Sequence, residues 1–149
     1  MRAVVQRVRE ASVLAGGRVS GVIGQGLLVY LGVERDDKEP DVAYMADKLR
    51  HLRVFGDQAA RLNRDVWQSG GQVLVVSAFT VQADARRGRR PAFETAATAD
   101  RAMVLYGMVC DAIAGLGVRV ERGAFGEDME VRSINDGPVC ILLDSRRKF

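Results

Sequence analysis

The chain has 149 residues, 48% of them hydrophobic, with 22 Lys+Arg against 19 Asp+Glu and a net charge of +3. That length suits one domain burying roughly 68–70% of its unfolded surface, and the mild positive excess permits nucleic-acid binding without arguing for it. One histidine and two cysteines leave too few parts for most metal sites and histidine-dependent nucleophiles.

The first third reads as antiparallel β-structure. Ala3 to Val8 is apolar with polar breaks, Ser12 to Ala15 follows, and Gly16-Gly17 is a two-residue hairpin turn. Arg18 to Ile23 returns, and Gly24-Gln25-Gly26 turns the chain again. Gly26 to Val33 is a near-continuous apolar run, expected to be a central strand covered on both faces. Asp36 or Asp37 is placed to cap a first helix, in which Val42, Met45, Leu49 and Leu52 fall at helical spacing as far as about Arg50. His51 follows at its end, with no second ligand near it in sequence, and reads as a surface or half-buried histidine. Arg53 to Phe55 is a candidate short strand, and Gly56 to Gly71 is irregular and polar around Trp67.

Val73-Leu74-Val75-Val76 is a buried strand that stops at Ser77-Ala78-Phe79-Thr80, two hydroxyls flanking an aromatic. A second helix starts at Thr98 or Asp100. Ala102, Met103, Leu105, Tyr106, Val109 and Ile113 form its apolar face, and Gly115 and Gly117 end it. Three strands close the chain: Val118 to Glu121, Met129 to Ile134 and Val139 to Leu143, with a turn at Asn135-Asp136-Gly137-Pro138. Cys110 and Cys140 both lie in apolar patterns and read as buried, reduced thiols. The basic tail Ser145 to Phe149 is expected to be mobile. No apolar run approaches the ~20 residues that span a bilayer, and Met1 to Arg7 lacks an apolar core of signal-peptide length; a cytoplasmic protein is expected. The fold expected is a mixed α/β single domain over residues 1–149: a curved or barrel-like, mainly antiparallel sheet with two principal helices.

Four segments hold candidate chemistry. Ser77 and Thr80 either satisfy backbone groups where a strand ends, or mark the place where successive N–H groups converge on an oxyanion. Gly-x-Ser-x-Gly is absent and no histidine lies in that segment, so a conventional serine nucleophile has no base nearby in sequence. Gly137-Pro138 is either an ordinary trans turn or a point where a bare glycine carbonyl approaches a ligand. The arginines of Arg86-Arg87-Gly88-Arg89-Arg90-Pro91 make either a solvated loop or a phosphate-binding one. Phe125 and Met129, in the glycine-rich connection from Gly123, are either core plugs or pocket walls.

Arg2-Ala3-Val4-Val5-Gln6-Arg7-Val8, Gly26-Leu27-Leu28-Val29, Ser77-Ala78-Phe79-Thr80, Arg87-Gly88-Arg89-Arg90-Pro91 and Asn135-Asp136-Gly137-Pro138-Val139 occur in this order, and together the chain resembles a D-aminoacyl-tRNA deacylase over essentially its whole length. The resemblance implies hydrolysis of the ester between a D-amino acid and the 3′-terminal ribose of tRNA, with no cofactor and no metal. It also implies a homodimer with active sites at the subunit interface. A cis Gly137-Pro138 would then enter the partner's site, with Phe125 and Met129 near the pocket. Ser77, Ala78, Phe79 and Thr80 would supply the catalytic segment, its main-chain donors at Phe79 and Thr80. Arg86, Arg87, Arg89 and Arg90 would contact tRNA. L-aminoacyl-tRNA would be excluded and glycyl-tRNA accepted. One departure stands out: the family usually carries glutamine where this chain has Ala78, so any work of that side chain is lost or moved, whereas main-chain N–H roles survive. The rival of another class is a non-catalytic tRNA- or RNA-binding protein using the same basic loop; a hydrolase working through Thr80 or a cysteine is a further one.

Overall fold

A single 14-residue strand, β1 (Arg2–Ala15), organises the molecule. Its inward residues Ala3, Val5, Val8, Ala11 and Val13 are all essentially inaccessible, which follows from the alternation of apolar and polar positions along it. In the computed structural model, which describes residues 1–148, β1 pairs antiparallel with β2 (Arg18–Ile23), β3 (Gly26–Gly32) and the C-terminal strand. Gly16 and Gly17 have φ of 53° and 75°, the left-handed conformation that a tight two-residue hairpin requires.

Helix α1 (Glu39–His51) follows β3, and a small ribbon of β4 (Phe55–Gly56) and β5 (Leu62–Arg64) comes next. Strand β6 (Gln72–Ser77) then lies parallel to β3. Helix α2 (Ala99–Gly115) leads to β7 (Val120–Arg122), parallel to β6, and β8 (Met129–Asp144) returns along β1. The sheet order is β2-β1-β3-β6-β7, with β8 on β1. The expected α/β architecture, a curved, mainly antiparallel sheet with two helices, is observed, with β6 and β7 as its parallel members; its central strand is β3, whose Leu27, Leu28 and Val29 are wholly buried.

Two apolar clusters hold it together. The larger lies between the sheet and the helices, where Val42, Met45, Ala46 and Leu49 of α1 and Leu105, Tyr106, Val109, Cys110 and Ile113 of α2 meet Val5, Val29, Val73 and Val75. The smaller lies on the opposite face, where the sheet curls: Val8, Val13, Ile23, Leu28, Leu74 and Val76, with Tyr30, Met129 and Val131 at its edge.

Several expectations need correcting. The closing segment is one strand, not two joined by a turn, because β1 is long enough to pair with both halves of it. Gln6 faces Cys140 and Val8 faces Asn135, so residues 136–139 bulge outward opposite Arg7 alone. Ala3–Val8 and Ser12–Ala15 are likewise one strand, and the strands placed at Arg53–Phe55 and Val118–Glu121 are observed at Phe55–Gly56 and Val120–Arg122.

Neither Asp36 nor Asp37 caps α1. Lys38 is the N-cap, and its N–H donates to the Asp41 carboxylate at 2.9 Å. Asp37 is instead fully buried, accepting from the Met1 ammonium at 2.6 Å and from the Glu34 N–H at 2.6 Å. Thr98 does begin α2, without a side-chain capping bond. Met103 is 52% exposed and so lies off the buried face of α2. Cys110 is buried as expected, but Cys140, opposite Gln6 on β1, is exposed. His51 is exposed, its Nδ1 2.9 Å from Asp47 Oδ1.

Candidate active site

Strand β6 ends one residue after its last fully buried valine, with Leu31 and Ser77 as the final pair on β3. The Ala78 N–H still donates to Leu31 O at 2.9 Å, and the chain then turns into a short 3-10 helix, Phe79–Gln82. Its first N–H groups, on Phe79 and Thr80, have no backbone acceptor among the described residues, as is usual where a helix begins. Thr80 is exposed and Ser77 half-buried. The Phe79 ring is 60% exposed and rests edge-on against Phe93, with centroids 5.1 Å apart.

This segment forms one wall of a cavity of about 690 Å³. Tyr30, Leu31 and Val76 from the strand ends line it, with Ala97 just before α2, Ala99 and Ala102 from the start of α2, and Phe125 to Met129. All four residues of Ser77-Ala78-Phe79-Thr80, together with Phe125 and Met129, are therefore brought to one cavity by strands and loops far apart in sequence. Phe125 also packs on Tyr106 at 5.6 Å between centroids, and Met129 on the smaller core, so each is both a core plug and a cavity wall.

The two tyrosine phenols at the cavity are unsuited to nucleophilic work. Burial pushes the Tyr106 phenol well above its ordinary value, and its hydroxyl donates to Val75 O at 2.8 Å. Burial likewise raises the Tyr30 phenol. Neither cysteine lines the cavity; burial pushes the Cys110 thiol up to about 11, which keeps it protonated and inert at neutral pH. The hydroxyls of Ser77 and Thr80 have no side-chain base within hydrogen-bonding distance among the described residues, and no group of three or more His, Cys, Asp or Glu among those residues is arranged to hold a metal ion. The cavity is lined mostly by apolar residues, with Glu127 and Asp128 on one side and, on another, Phe79 and Thr80, whose N–H groups have no backbone acceptor among the described residues.

Gly137-Pro138 stands elsewhere. The bond is cis, Gly137 has a φ of 118°, and both residues are exposed on the bulge of β8. The bulge is fastened at its base: Asn135 Nδ2 donates to Arg7 O at 2.8 Å and to Val139 O at 3.2 Å, and Arg7 Nε lies 3.0 Å from Asp136 Oδ2. A side chain at 137 would bring its Cβ to 2.8 Å from Arg7 Nη2. No residue of this bulge lines the cavity of its own copy.

The basic run is an exposed loop whose base is closed by paired bonds between Asp84 and Ala92. Its four arginines are not equivalent. Arg86 is bonded to both Asp84 oxygens, at 2.9 and 2.6 Å, and the guanidinium holds that carboxyl far below the usual range. Arg87, Arg89 and Arg90 make no ion pair among the described residues. Sequence reasoning missed Tyr30, Tyr106, Glu127 and Asp128 in the cavity and Gln82 beneath it. For the tyrosines the only available signal was a polar tip inside an apolar pattern; for Gln82, an amide two residues beyond Thr80.

The model of the D-Tyr-tRNA(Tyr) deacylase family matches residues 4–144. A D-aminoacyl-tRNA deacylase of Anaeromyxobacter dehalogenans is 54% identical over 149 residues, and one of Desulforudis audaxviator is 51% identical; each pairing covers all of both chains. Among solved structures, a c-Myc DNA unwinding element binding protein superposes with a TM-score of 0.91 at 35% identity, covering 97% of this chain and 98% of that one. A probable eukaryotic D-amino acid tRNA deacylase shares the fold, with a TM-score of 0.82 at 18% identity, covering 95% and 97% of the two chains. A family match across nearly the whole length, together with identities above half over complete chains, makes this protein a hydrolase belonging to the D-Tyr-tRNA(Tyr) deacylase family, whose substrates are aminoacyl-tRNAs.

Proposed function

We propose that this chain, acting as one unit over residues 1–149, hydrolyses the ester joining a D-amino acid to the 3′-terminal ribose of tRNA and rejects the L-enantiomer. The observation that carries the reading is the pair of unengaged N–H groups at Phe79 and Thr80, at the end of a buried strand and beside a cavity without an activated side-chain nucleophile. Such donors, fixed before the substrate arrives, stabilise the negative charge that develops on an ester carbonyl oxygen; a single donor is worth about 10²–10³ in rate. Water adds to the carbonyl carbon, the bond to the ribose oxygen breaks, and the proton passes to that oxygen by way of the neighbouring ribose hydroxyl of the substrate. Ser77 and Ala78 set the direction of the segment. The Ala78 side chain has no part in this step, because its N–H and carbonyl remain.

Enantiomer choice rests on the Gly137-Pro138 bulge of a second copy. In its own copy the bulge is exposed and lines no part of the cavity, so it acts across an interface. The surface beside the cavity supports that assembly. Val4 lies opposite both Leu142 and Tyr30 in the sheet, with Leu142 56% exposed, and Tyr30 belongs to the cavity wall. A homodimer covering this strip brings each bulge to the other copy's cavity. There the carbonyl of Gly137 accepts from the substrate ammonium and the proline ring obstructs an L-side chain. Rejection by obstruction discriminates more sharply than an added apolar contact. Glycine has nothing to obstruct, so glycyl-tRNA is cleaved. Arg87, Arg89 and Arg90 hold phosphates of the acceptor end with little sequence preference. The reaction belongs in the cytoplasm, where aminoacyl-tRNA is made.

The test is hydrolysis of D-tyrosyl-, L-tyrosyl- and glycyl-tRNA by the purified protein. Cleavage of the first and third with the second intact is expected, and equal rates for D- and L-tyrosyl-tRNA would refute the chirality claim. The rival reading, binding of nucleic acid without chemistry, predicts salt-sensitive tRNA binding with all three esters intact.

A further inference from the structure

We infer that Gln82 is a positioning residue for this reaction, an inference that rests on the deacylase reading above. Its side chain is 1% exposed, and its Nε2 donates to Gly32 O at 2.8 Å, a contact between residues fifty positions apart. The 3-10 helix Phe79–Gln82 is therefore anchored at both ends to consecutive carbonyls of β3. Ala78 N–H holds Leu31 O at 2.9 Å just before it, and the Gln82 amide holds Gly32 O at its last residue. Phe79 and Thr80, the two main-chain donors assigned to the ester, lie between these anchors. The first anchor is backbone and survives any substitution except proline. The second is the only side-chain hydrogen bond from this helix to the sheet among the described residues, so it alone depends on residue type.

The packing is tight on the same side. A Cβ built on Gly32 would lie 3.0 Å from Ala78 O, 3.1 Å from Gln82 Nε2 and 3.1 Å from Val81 Cβ, which places the amide directly beneath the catalytic segment. Gln82 Oε1 is buried and has no hydrogen-bond partner among the described residues. A glutamine fully buried with half its amide unengaged is held there for its donor, since an apolar residue of similar size would fill the space without the cost of an unpaired acceptor.

Substitution separates positioning from packing. Gln82→Leu keeps the volume and removes the donor. kcat on D-tyrosyl-tRNA should fall about 10- to 100-fold with KM changed less than about threefold, because misplaced donors weaken the transition state and leave tRNA binding alone. Gln82→Glu donates to Gly32 O only as the neutral acid. Its kcat should approach wild type at the acid end and fall as pH rises, a limb the wild-type enzyme lacks. Exchange of the Val81 and Ala83 amides, whose partners are Ala78 O and Thr80 O, should be at least about 10-fold faster in Gln82→Leu with β1 amides unchanged. Wild-type kcat in Gln82→Leu, a flat pH profile in Gln82→Glu, or unaltered exchange at Val81 and Ala83 would overturn the inference. If the leucine variant does not fold, the glutamate profile decides. If wild-type protein leaves D-tyrosyl-tRNA intact, the deacylase reading has failed, and amide exchange alone judges Gln82 as the anchor of this turn.

Discussion

Tyr106→Phe tests whether the reaction uses the Tyr106 phenol as a proton carrier. The Tyr106 hydroxyl donates to Val75 O at 2.8 Å, and the same carbonyl accepts from the Gly123 N–H at 2.9 Å. Removing the hydroxyl therefore leaves Val75 O with a partner, and the cost is close to the net worth of one hydrogen bond, about 0.5–1.5 kcal/mol. Had the carbonyl lost its only partner, a further ~1–3 kcal/mol would be due for a buried unpaired acceptor. The ring keeps its contact with Phe125, so no large cavity opens. In a domain of this length each kcal/mol moves the thermal midpoint by about 2–4 °C, which puts the expected loss near 1–6 °C. Turnover should change less than about twofold, because the phenol is held neutral by burial and its proton is committed to Val75. Melting by circular dichroism and initial rates on D-tyrosyl-tRNA measure the two quantities. A rate loss of about 100-fold or more in a folded variant, the scale of a lost general acid or base, would refute the main-chain account.

Leu142→Asp places a charge in the exposed strip beside Val4 and Tyr30. Sedimentation should show the wild type at twice 16.3 kDa and the variant as a folded monomer with at least about 100-fold lower deacylase activity, since a bulge supplied by the partner is then missing. Arg87→Ala combined with Arg89→Ala should weaken tRNA binding and reduce the slope of log affinity against log salt by about 0.7–0.9 per lost phosphate contact, whereas Arg86→Ala, already paired with Asp84, should change that slope little. Acid stability should depend on Asp65. Burial alone would raise its carboxyl, but the N–H of Gln68 and the Arg50 guanidinium at 2.7 Å outweigh burial and leave it below its ordinary 3.8. Below that ordinary value the unfolded chain holds more protons than the folded one, so the contribution is present above pH 3.8 and is lost as pH falls through the folded value. Asp37, raised by burial, runs the opposite way. Urea midpoints measured from pH 5 downward should fall for wild type and fall less for Asp65→Asn.

Local pattern was enough for much of this fold. The alternation along Arg2–Ala15, the continuous apolar run through β3, the glycine pair between β1 and β2 and the helical spacing in α1 and α2 each encode their element through contacts within a few residues. The segment Ser77–Thr80 was legible for a similar reason: a buried strand that ends on polar groups must deliver them somewhere. Where pattern misled, a distant partner decided. Asn135-Asp136-Gly137-Pro138 has the composition of a turn, yet β1 is long enough to pair with both flanks, and the four residues became a bulge. Asp37 has the composition of a helix cap, yet the Met1 ammonium draws it into the interior.

Composition and spacing by themselves established a chain poor in nucleophiles, a curved, mainly antiparallel sheet with two helices and a buried strand ending on two hydroxyl side chains. Only the tertiary structure decided that Phe125 and Met129 share a cavity with Thr80, that the proline bulge lines no part of it, that Arg86 is already occupied, and that Cys140 is exposed. The physical reason is range. Hydrogen bonding and periodicity act between neighbours and are written into short windows, whereas a cavity is enclosed by residues whose proximity depends on the closing of the whole sheet.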